Sequence, residues 1–225
     1  MRIIRFRYRI FFIKTGAARF IGHLDLQSLF QRCFKRSGLP VAYSEGFNPH
    51  QLLSFAAPLP LGTAGLGEIL EVFLTEQIEP EAIVSALAPQ MPGGISILRV
   101  QEVSPTGKGA AALARAATYR IIFSHDPKLV EGLDKIIAEM LASGAIEVEK
   151  RTKKGRAMAD IRPDILMLEN ASLDGEICLK AALSTGSERN LKPEIVAAYI
   201  LDTLGIIGCD VAYERIEILL REVGA

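Results

Sequence analysis

No apolar run in these 225 residues approaches the roughly 20 consecutive residues that a membrane-crossing helix needs. Even the stretch from Leu52 to Leu66 is interrupted by Pro58, Pro60 and Gly62. A soluble, cytoplasmic protein is the expectation. An export signal would place an unbroken apolar block after its basic residues. Here Arg2, Arg5, Arg7 and Arg9 are interleaved with Ile, Phe and Tyr, which reads as a strand. Cysteine is scarce: Cys33, Cys178 and Cys209 are odd in number and far apart, so they suggest neither a disulfide framework nor a zinc or iron–sulfur ligand set. Reduced, buried thiols and no metal or other cofactor are expected.

Net charge is also absent, at +0, but the zero conceals an asymmetry. Between Met1 and Gly67 there are nine Lys or Arg (Arg2, Arg5, Arg7, Arg9, Lys14, Arg19, Arg32, Lys35, Arg36) against only Asp25 and Glu45. A basic segment on a neutral chain suits a surface for an anionic partner, unless ion pairs with the acidic stretch Glu68 to Glu81 consume it. With 49% hydrophobic and 23% charged residues, the chain has enough apolar surface to fold, and its length suits two modules.

Aromatic and β-branched residues mark Arg7 to Ile13 as a strand. Leu26, Leu29, Phe30, Cys33 and Phe34 then recur at helical spacing, in a helix that starts near Gly22-His23 and stops at Gly38. Val41 to Tyr43 and Leu52 to Ala57 read as extended, Ile69 to Leu74 as a strand, Pro80 to Ala88 as a helix, and Ile95 to Val103 as a strand. Residues 104–117 lack periodicity and read as a linker with room for one helical turn.

The pattern then repeats. Tyr119 to Phe123 is a strand, Asp126 and Pro127 are an N-cap and N1 pair, and Val130, Leu133, Ile137, Met140 and Leu141 mark a helix face. Ile146 to Arg151 and Asp164 to Leu168 read as extended on either side of a basic loop. Ile177 to Leu183 is a strand, Pro193 to Leu204 a helix, and Val211 to Leu219 a strand. The expectation is an α+β chain of two tandem ferredoxin-like (βαββαβ) modules, 1–103 and 118–225, joined by 104–117.

Helix periodicity does not require His23 and Asp25 at the helix start, nor Tyr43, Ser44, Phe47, Asn48 and His50 in a Gly-Pro loop. An aromatic-bearing loop with cations nearby suits base stacking and phosphate contacts to single-stranded RNA. The helix start near His23 suits a phosphate, while a capping role for His23 and a plain Asn48-Pro49 turn are the simpler alternatives. Lys14, Arg19, His23, Arg32, Tyr43, Phe47, Asn48 and His50 are the first-module candidates. In the second module, Arg151, Lys153, Lys154, Arg156 and Arg162 surround Gly155 in a basic hairpin that either contacts phosphates or is simply a solvated edge.

The segments GHLDL (22–26) and YSEGFNPH (43–50), together with EKRTKKGRAMADIRPDI (149–165), resemble the radical-SAM-associated protein family, built on a domain of unknown function. The resemblance implies a radical SAM protein as partner and a genomic setting associated with RNA. The CxxxCxxC cluster of a radical SAM enzyme is not present, so the resemblance implies the accessory half, presenting substrate and more plausibly without catalysis of its own. Two alternatives stand beside an RNA-binding accessory role. One is a metal-independent endoribonuclease of the Cas6 kind, with His23 or His50 as general acid or base and Lys14 or Arg19 stabilising charge. The other is a protein-interaction scaffold that touches no nucleic acid.

Overall fold

The computed structural model describes residues 5–152, 155–186 and 189–221. They form a mixed α+β protein that clusters into two compact units, Met1–Ala114 with Leu220–Ala225, and Arg115–Leu219. No helix among the described residues is long and apolar enough to cross a membrane.

The first unit runs β1 (Phe6–Lys14), α1 (His23–Ser37), β2 (Leu53–Phe55), β3 (Ala64–Leu74), α2 (Pro80–Leu87) and β4 (Ile95–Val103). β1 lies between β3 and β4, antiparallel to both, and β2 pairs antiparallel with β3. Successive strand residues point to opposite faces. Accordingly, Tyr8, Ile10 and Phe12 of β1 join Leu70, Val72 and Leu74 of β3 in a core closed by Leu26, Phe30 and Phe34 of α1. Phe12, Phe30 and Phe55 meet edge to face, with centroids 4.9 to 6.0 Å apart, an arrangement the aromatic quadrupole favours. Gly38 ends α1 in the left-handed region, φ 71°, where a side chain would be strained.

The other parity of β1 carries charge. Glu71 of β3, only 3% exposed, receives Arg7 at 3.2 Å and Arg9 at 2.8 Å. Arg7 also donates to the carbonyls of Ser104 (3.2 Å) and Lys108 (2.8 Å). Part of the N-terminal basic excess is therefore neutralised by the acidic stretch. The segment expected to be a linker contains the division between the units, after Ala114, and its first half is tied down. Arg7 holds residues 104–108, the short helix α3 (Ala110–Leu113) packs beside β2 and β3, and β5 (Ala114–Phe123) begins before the segment ends. Ala110, Leu113, Ala116 and Ala117 are buried, because small apolar side chains fit against a sheet where a tether would need polar ones.

The second unit contains β5, α4 (Pro127–Ala142), β8 (Ile165–Asn170), β9 (Ile177–Ser184), α5 (Pro193–Thr203) and β10 (Val211–Leu220), with strand order β10-β5-β9-β8. A separate two-stranded hairpin, β6 (Glu147–Thr152) with β7 (Gly155–Asp160), is inserted between α4 and β8. Its core joins Tyr119, Ile121 and Phe123 to Leu129, Leu133, Ile137 and Met140 of α4 and to Val196 and Ile200 of α5. Asp126 caps α4, its side chain accepting from the Lys128 backbone N–H at 2.8 Å, with Pro127 at N1. Two expectations need correction. The segments 41–43 and 52–57 form only isolated bridges at Val41 and Tyr43 and the three-residue β2, with Pro40 and Pro58 bounding them. Cys33 and Cys178 are buried thiols, but Cys209 is half-buried, beside the Ser124 hydroxyl.

Arg7→Ala removes the clamp on residues 104–108 and leaves Glu71 buried with one cation fewer. Trypsin is then expected to cut at Lys108 well before it cuts the wild-type chain there, with a stability loss of about 3–5 kcal/mol by chemical denaturation. Equal cleavage rates would show that Arg7 does not hold the segment. In the second unit, burial and then the Glu194 carboxylate push the Tyr213 hydroxyl up to about 12. The neutral form is thereby favoured in the folded state, and an unfolded tyrosine ionises near 10. This contribution to stability is present below about pH 10 and is lost as pH rises towards about 12, which denaturant midpoints and ultraviolet tyrosine titration measure together.

Candidate nucleic-acid interface

The strongest feature of the first unit is the loop 44–50. Its base is tied to the sheet: the Ala42 N–H donates to the Phe73 carbonyl at 2.7 Å, Leu52 to Ala42 at 2.8 Å, and Phe73 to Leu52 at 3.0 Å. Tyr43 and Gln51 face each other as an antiparallel bridge, and the Gln51 amide donates to the Tyr43 hydroxyl at 3.4 Å. Above them Ser44 closes the loop on His50. The Ser44 N–H donates to the His50 carbonyl at 2.8 Å, the His50 N–H donates to Ser44 Oγ at 3.0 Å, and Ser44 Oγ lies 2.8 Å from His50 Nδ1. Gly46 turns the chain at φ 111°, a conformation that side-chain-bearing residues avoid. The outcome is a braced loop that holds Phe47 fully exposed at its tip, at 106% relative accessibility, next to exposed Asn48, with half-exposed Tyr43 at the loop's base.

The remaining first-unit candidates divide sharply. Lys14 is 1% exposed, and its ammonium donates to the carbonyls of Arg19 (3.2 Å) and Ile21 (2.8 Å). The parity of β1 turns it inward, so it organises the 3-10 turn Gly16–Phe20 and does not offer charge to a ligand. Arg19 is exposed, its guanidinium 4.8 Å over the ring of Phe20, which is itself exposed. His23 is the first residue of α1; its exposed ring meets Phe55 edge to face at 5.3 Å. The two imidazoles therefore have different neighbours, Phe55 for His23 and Ser44 for His50. The start of α1 is not an open phosphate site either, because the Asp25 carboxylate lies 3.4 Å from where a Cβ on Gly22 would stand. Arg32 is exposed on the outer face of α1, while Arg36 donates to the Gln90 carbonyl at 2.7 Å.

In the second unit, Arg156 on β7 is exposed and 3.3 Å from the exposed Glu149, a pairing worth little in water. Arg162 is structural: it donates to the carbonyls of Ile165 (3.0 Å) and Leu141 (2.9 Å), closing the end of α4 onto β8. Backbone N–H groups of Ile146 and Arg162 donate to Asp160 and hold its carboxyl below the usual range. Lys153 and Lys154, and the side chain of Arg151, lie outside the described residues. A cavity of about 310 Å³ between the start of α4 and the β8–β9 turn, lined by His125, Leu129, Leu133, Leu173 and Glu176, contains none of the sequence candidates.

Sequence reasoning missed an apolar surface. Phe20, Leu24 and Leu61 are 60%, 76% and 67% exposed, and Phe20 lies against Gly62. The signal was present in Leu24, an apolar residue off the Leu26–Phe30–Phe34 stripe of α1.

A family model described as an uncharacterized protein conserved in bacteria (DUF2344) matches residues 7–193. The chain belongs to this family. The match takes in the braced loop of the DUF2344 chain and its β6–β7 hairpin. No curated protein matches. Among solved structures, a Cbf5-Nop10-Gar1 complex is similar at 15% identity and TM-score 0.50 over 92% of this chain, which spans 47% of that one. An unknown protein from Galdieria sulphuraria (14% identity, TM-score 0.28) and a putative glycine cleavage system transcriptional repressor (10%, TM-score 0.25) each match over 94% of the DUF2344 chain and 99% of their own. The first likeness describes fold alone; the other two carry no weight.

Lys14→Met is expected to destabilise the first unit measurably in denaturant titrations, by leaving two inward carbonyls without their donor. Arg19→Glu, on the surface, is expected to stay within about 0.5 kcal/mol of wild type. Equal stability of the two variants would return Lys14 to the list of ligand-facing groups.

Proposed function

We propose that this DUF2344 chain is a non-catalytic, cytoplasmic accessory protein that binds RNA and presents it to a radical SAM enzyme. The observation that carries this reading is Phe47, a large apolar ring held in full solvent exposure by a loop with four closing hydrogen bonds or contacts at Ser44–His50 and Tyr43–Gln51. An aromatic presented in this way gains free energy when a base stacks on it, typically about 1–3 kcal/mol per base. Tyr43 at the loop's base and Asn48 next to Phe47 supply a second ring and an amide for base edges. The radical SAM partner rests on the resemblance of GHLDL and YSEGFNPH to that family. The two units, each βαββαβ with its first strand inside the sheet, are read here as tandem ferredoxin-like modules, a topology that leaves one sheet face available for ligands.

Endonuclease chemistry is the weaker reading, because His23 and His50 have different neighbours and the Lys14 ammonium is buried against the Arg19 and Ile21 carbonyls. A protein-docking role is favoured by one specific observation, the exposure of the aliphatic residues Leu24 and Leu61 on the first unit. Stacking on RNA uses rings, and aliphatic patches pair with protein.

Fluorescence anisotropy with labelled single-stranded RNA tests the proposal. Phe47→Ala is expected to weaken binding by about 5- to 150-fold, the equivalent of one lost stacking contact, while thermal stability is unchanged because the ring buries nothing. Purified protein with no affinity for RNA and no elevated absorbance at nucleic-acid wavelengths would overturn it in favour of the scaffold.

A further inference from the structure

The outer face of the first unit's sheet contains a second aromatic feature that the braced loop does not use. The parity of β1 that opposes the core carries Arg7, Arg9, Phe11 and Ile13. Phe11 pairs across the sheet with Arg99 of the edge strand β4, and Arg9 pairs with Gln101. The Arg99 guanidinium lies 3.4 Å from the centroid of the Phe11 ring, a face-on stack.

This placement depends on a β-bulge. The register of β4 against β1 shifts between Phe11 and Phe12: Arg99 opposes Phe11, yet Ile97 opposes Phe12, so Leu98 is an extra residue. Ile95 and Ile97 pack on the helix-covered core. With uninterrupted alternation Arg99 would follow them inward; a one-residue slip turns it to the other face. A bulge that re-aims one side chain in this way is a recurrent device beside binding sites.

The charge on this face is complementary to an anion. Glu71 is its acid among the paired positions of β1, β3 and β4, and it is held between Arg7 and Arg9. With Arg99 the face has two positive charges in excess. Arg99 is exposed, and one side of its planar guanidinium rests on Phe11. Its other side is a flat, cationic surface on which a base can stack. Gln101 lies beside it, its Oε1 3.4 Å from Arg99 Nη1, leaving its amide N–H groups for a base edge.

We propose that Phe11, Arg99 and Gln101 form a nucleobase-stacking platform for single-stranded RNA on the exposed β1–β4 side of this face, separate from the Phe47 loop. This rests on the RNA-binding reading and names the form of RNA recognised. A duplex hides its base faces and cannot use the platform.

The test is anisotropy of full-length protein with an RNA of roughly 12 nucleotides, within the span of single-strand sites, compared with the same RNA annealed to its complement. Wild type is expected to prefer the single strand. Arg99→Ala is expected to lose about tenfold or more in affinity. Arg99→Lys is expected to retain the salt dependence but recover less than half of that loss in log terms, since a lysine supplies charge without a plane. Phe11→Leu keeps the face apolar, and circular dichroism confirms its fold; it is expected to weaken binding in the same direction, and the double variant with Phe47→Ala to weaken it further. If wild type binds RNA but Arg99→Ala and Phe11→Leu bind as well as wild type, the platform is wrong and the RNA-binding role stands. If wild type binds no RNA, the role itself fails, and the platform with it. Equal affinity for duplex and single strand also overturns the platform, as does full rescue by Arg99→Lys, which would reduce Arg99 to a phosphate contact.

Discussion

The two-faced character of β1 governs the first unit. Tyr8, Ile10, Phe12 and Lys14 all face the helices because side chains alternate along a strand, and this forces Arg7, Arg9, Phe11 and Ile13 onto the other side. Each set demands its own solution. The inward set ends in a charge, and the chain after β1 curls back to offer the Arg19 and Ile21 carbonyls to the ammonium. The outward set begins with two arginines, which bring Glu71 between them and draw the 104–108 carbonyls over Arg7. The helix–sheet core, the turn leading to α1 and the covered end of the sheet are thus consequences of one nine-residue alternation.

That alternation also separates what was legible in the sequence from what was not. Much of the helices was legible: the 26–30–33–34 spacing, the stop at Gly38 and the Asp126-Pro127 start reflect contacts within a few residues of one another, while on α4 Val130 and Leu141 are exposed and Leu129 and Ile136 are buried in their stead. The exposed loop 43–50 was legible as a candidate because Phe47 and Asn48 lie between Gly46 and Pro49, where no periodicity asks for an aromatic. Lys14 was misread because a lysine at a strand end ordinarily reaches water, and its burial depends on carbonyls placed by a turn that propensity does not reveal. The hold on residues 104–108 was not legible for a related reason: it comes from Arg7, nearly a hundred residues earlier. Arg162 likewise looked like part of a basic hairpin, and its carbonyl partners belong to α4 and β8. Arg99 could not have been found at all, since its orientation depends on a register shift at Leu98 that exists only once β4 is paired with β1.

The fate of the N-terminal basic residues bears on what kind of binding the first unit can support. In the sequence the excess of cations suggested a surface for an anionic partner. In the structure Arg7 and Arg9 are engaged by Glu71, Lys14 faces inward, Arg36 is bonded to the Gln90 carbonyl, and Arg5 reaches towards Glu45 at 3.6 Å. Arg19, Arg32 and Lys35 remain exposed, and Arg99 joins them from β4. Each phosphate neutralised on a single strand contributes a slope of only about 0.7 in log affinity against log salt, so a handful of dispersed cations gives modest electrostatic binding. Of these four, Arg19 and Arg99 lie over aromatic rings. A guanidinium on a ring is held flat and loses less freedom when a base settles on it than a lysine extended into water would. On the proposed RNA-binding reading, these cations favour unpaired bases over a phosphate backbone, and a chain with no net charge would then bind an anionic polymer without becoming a general polyanion trap.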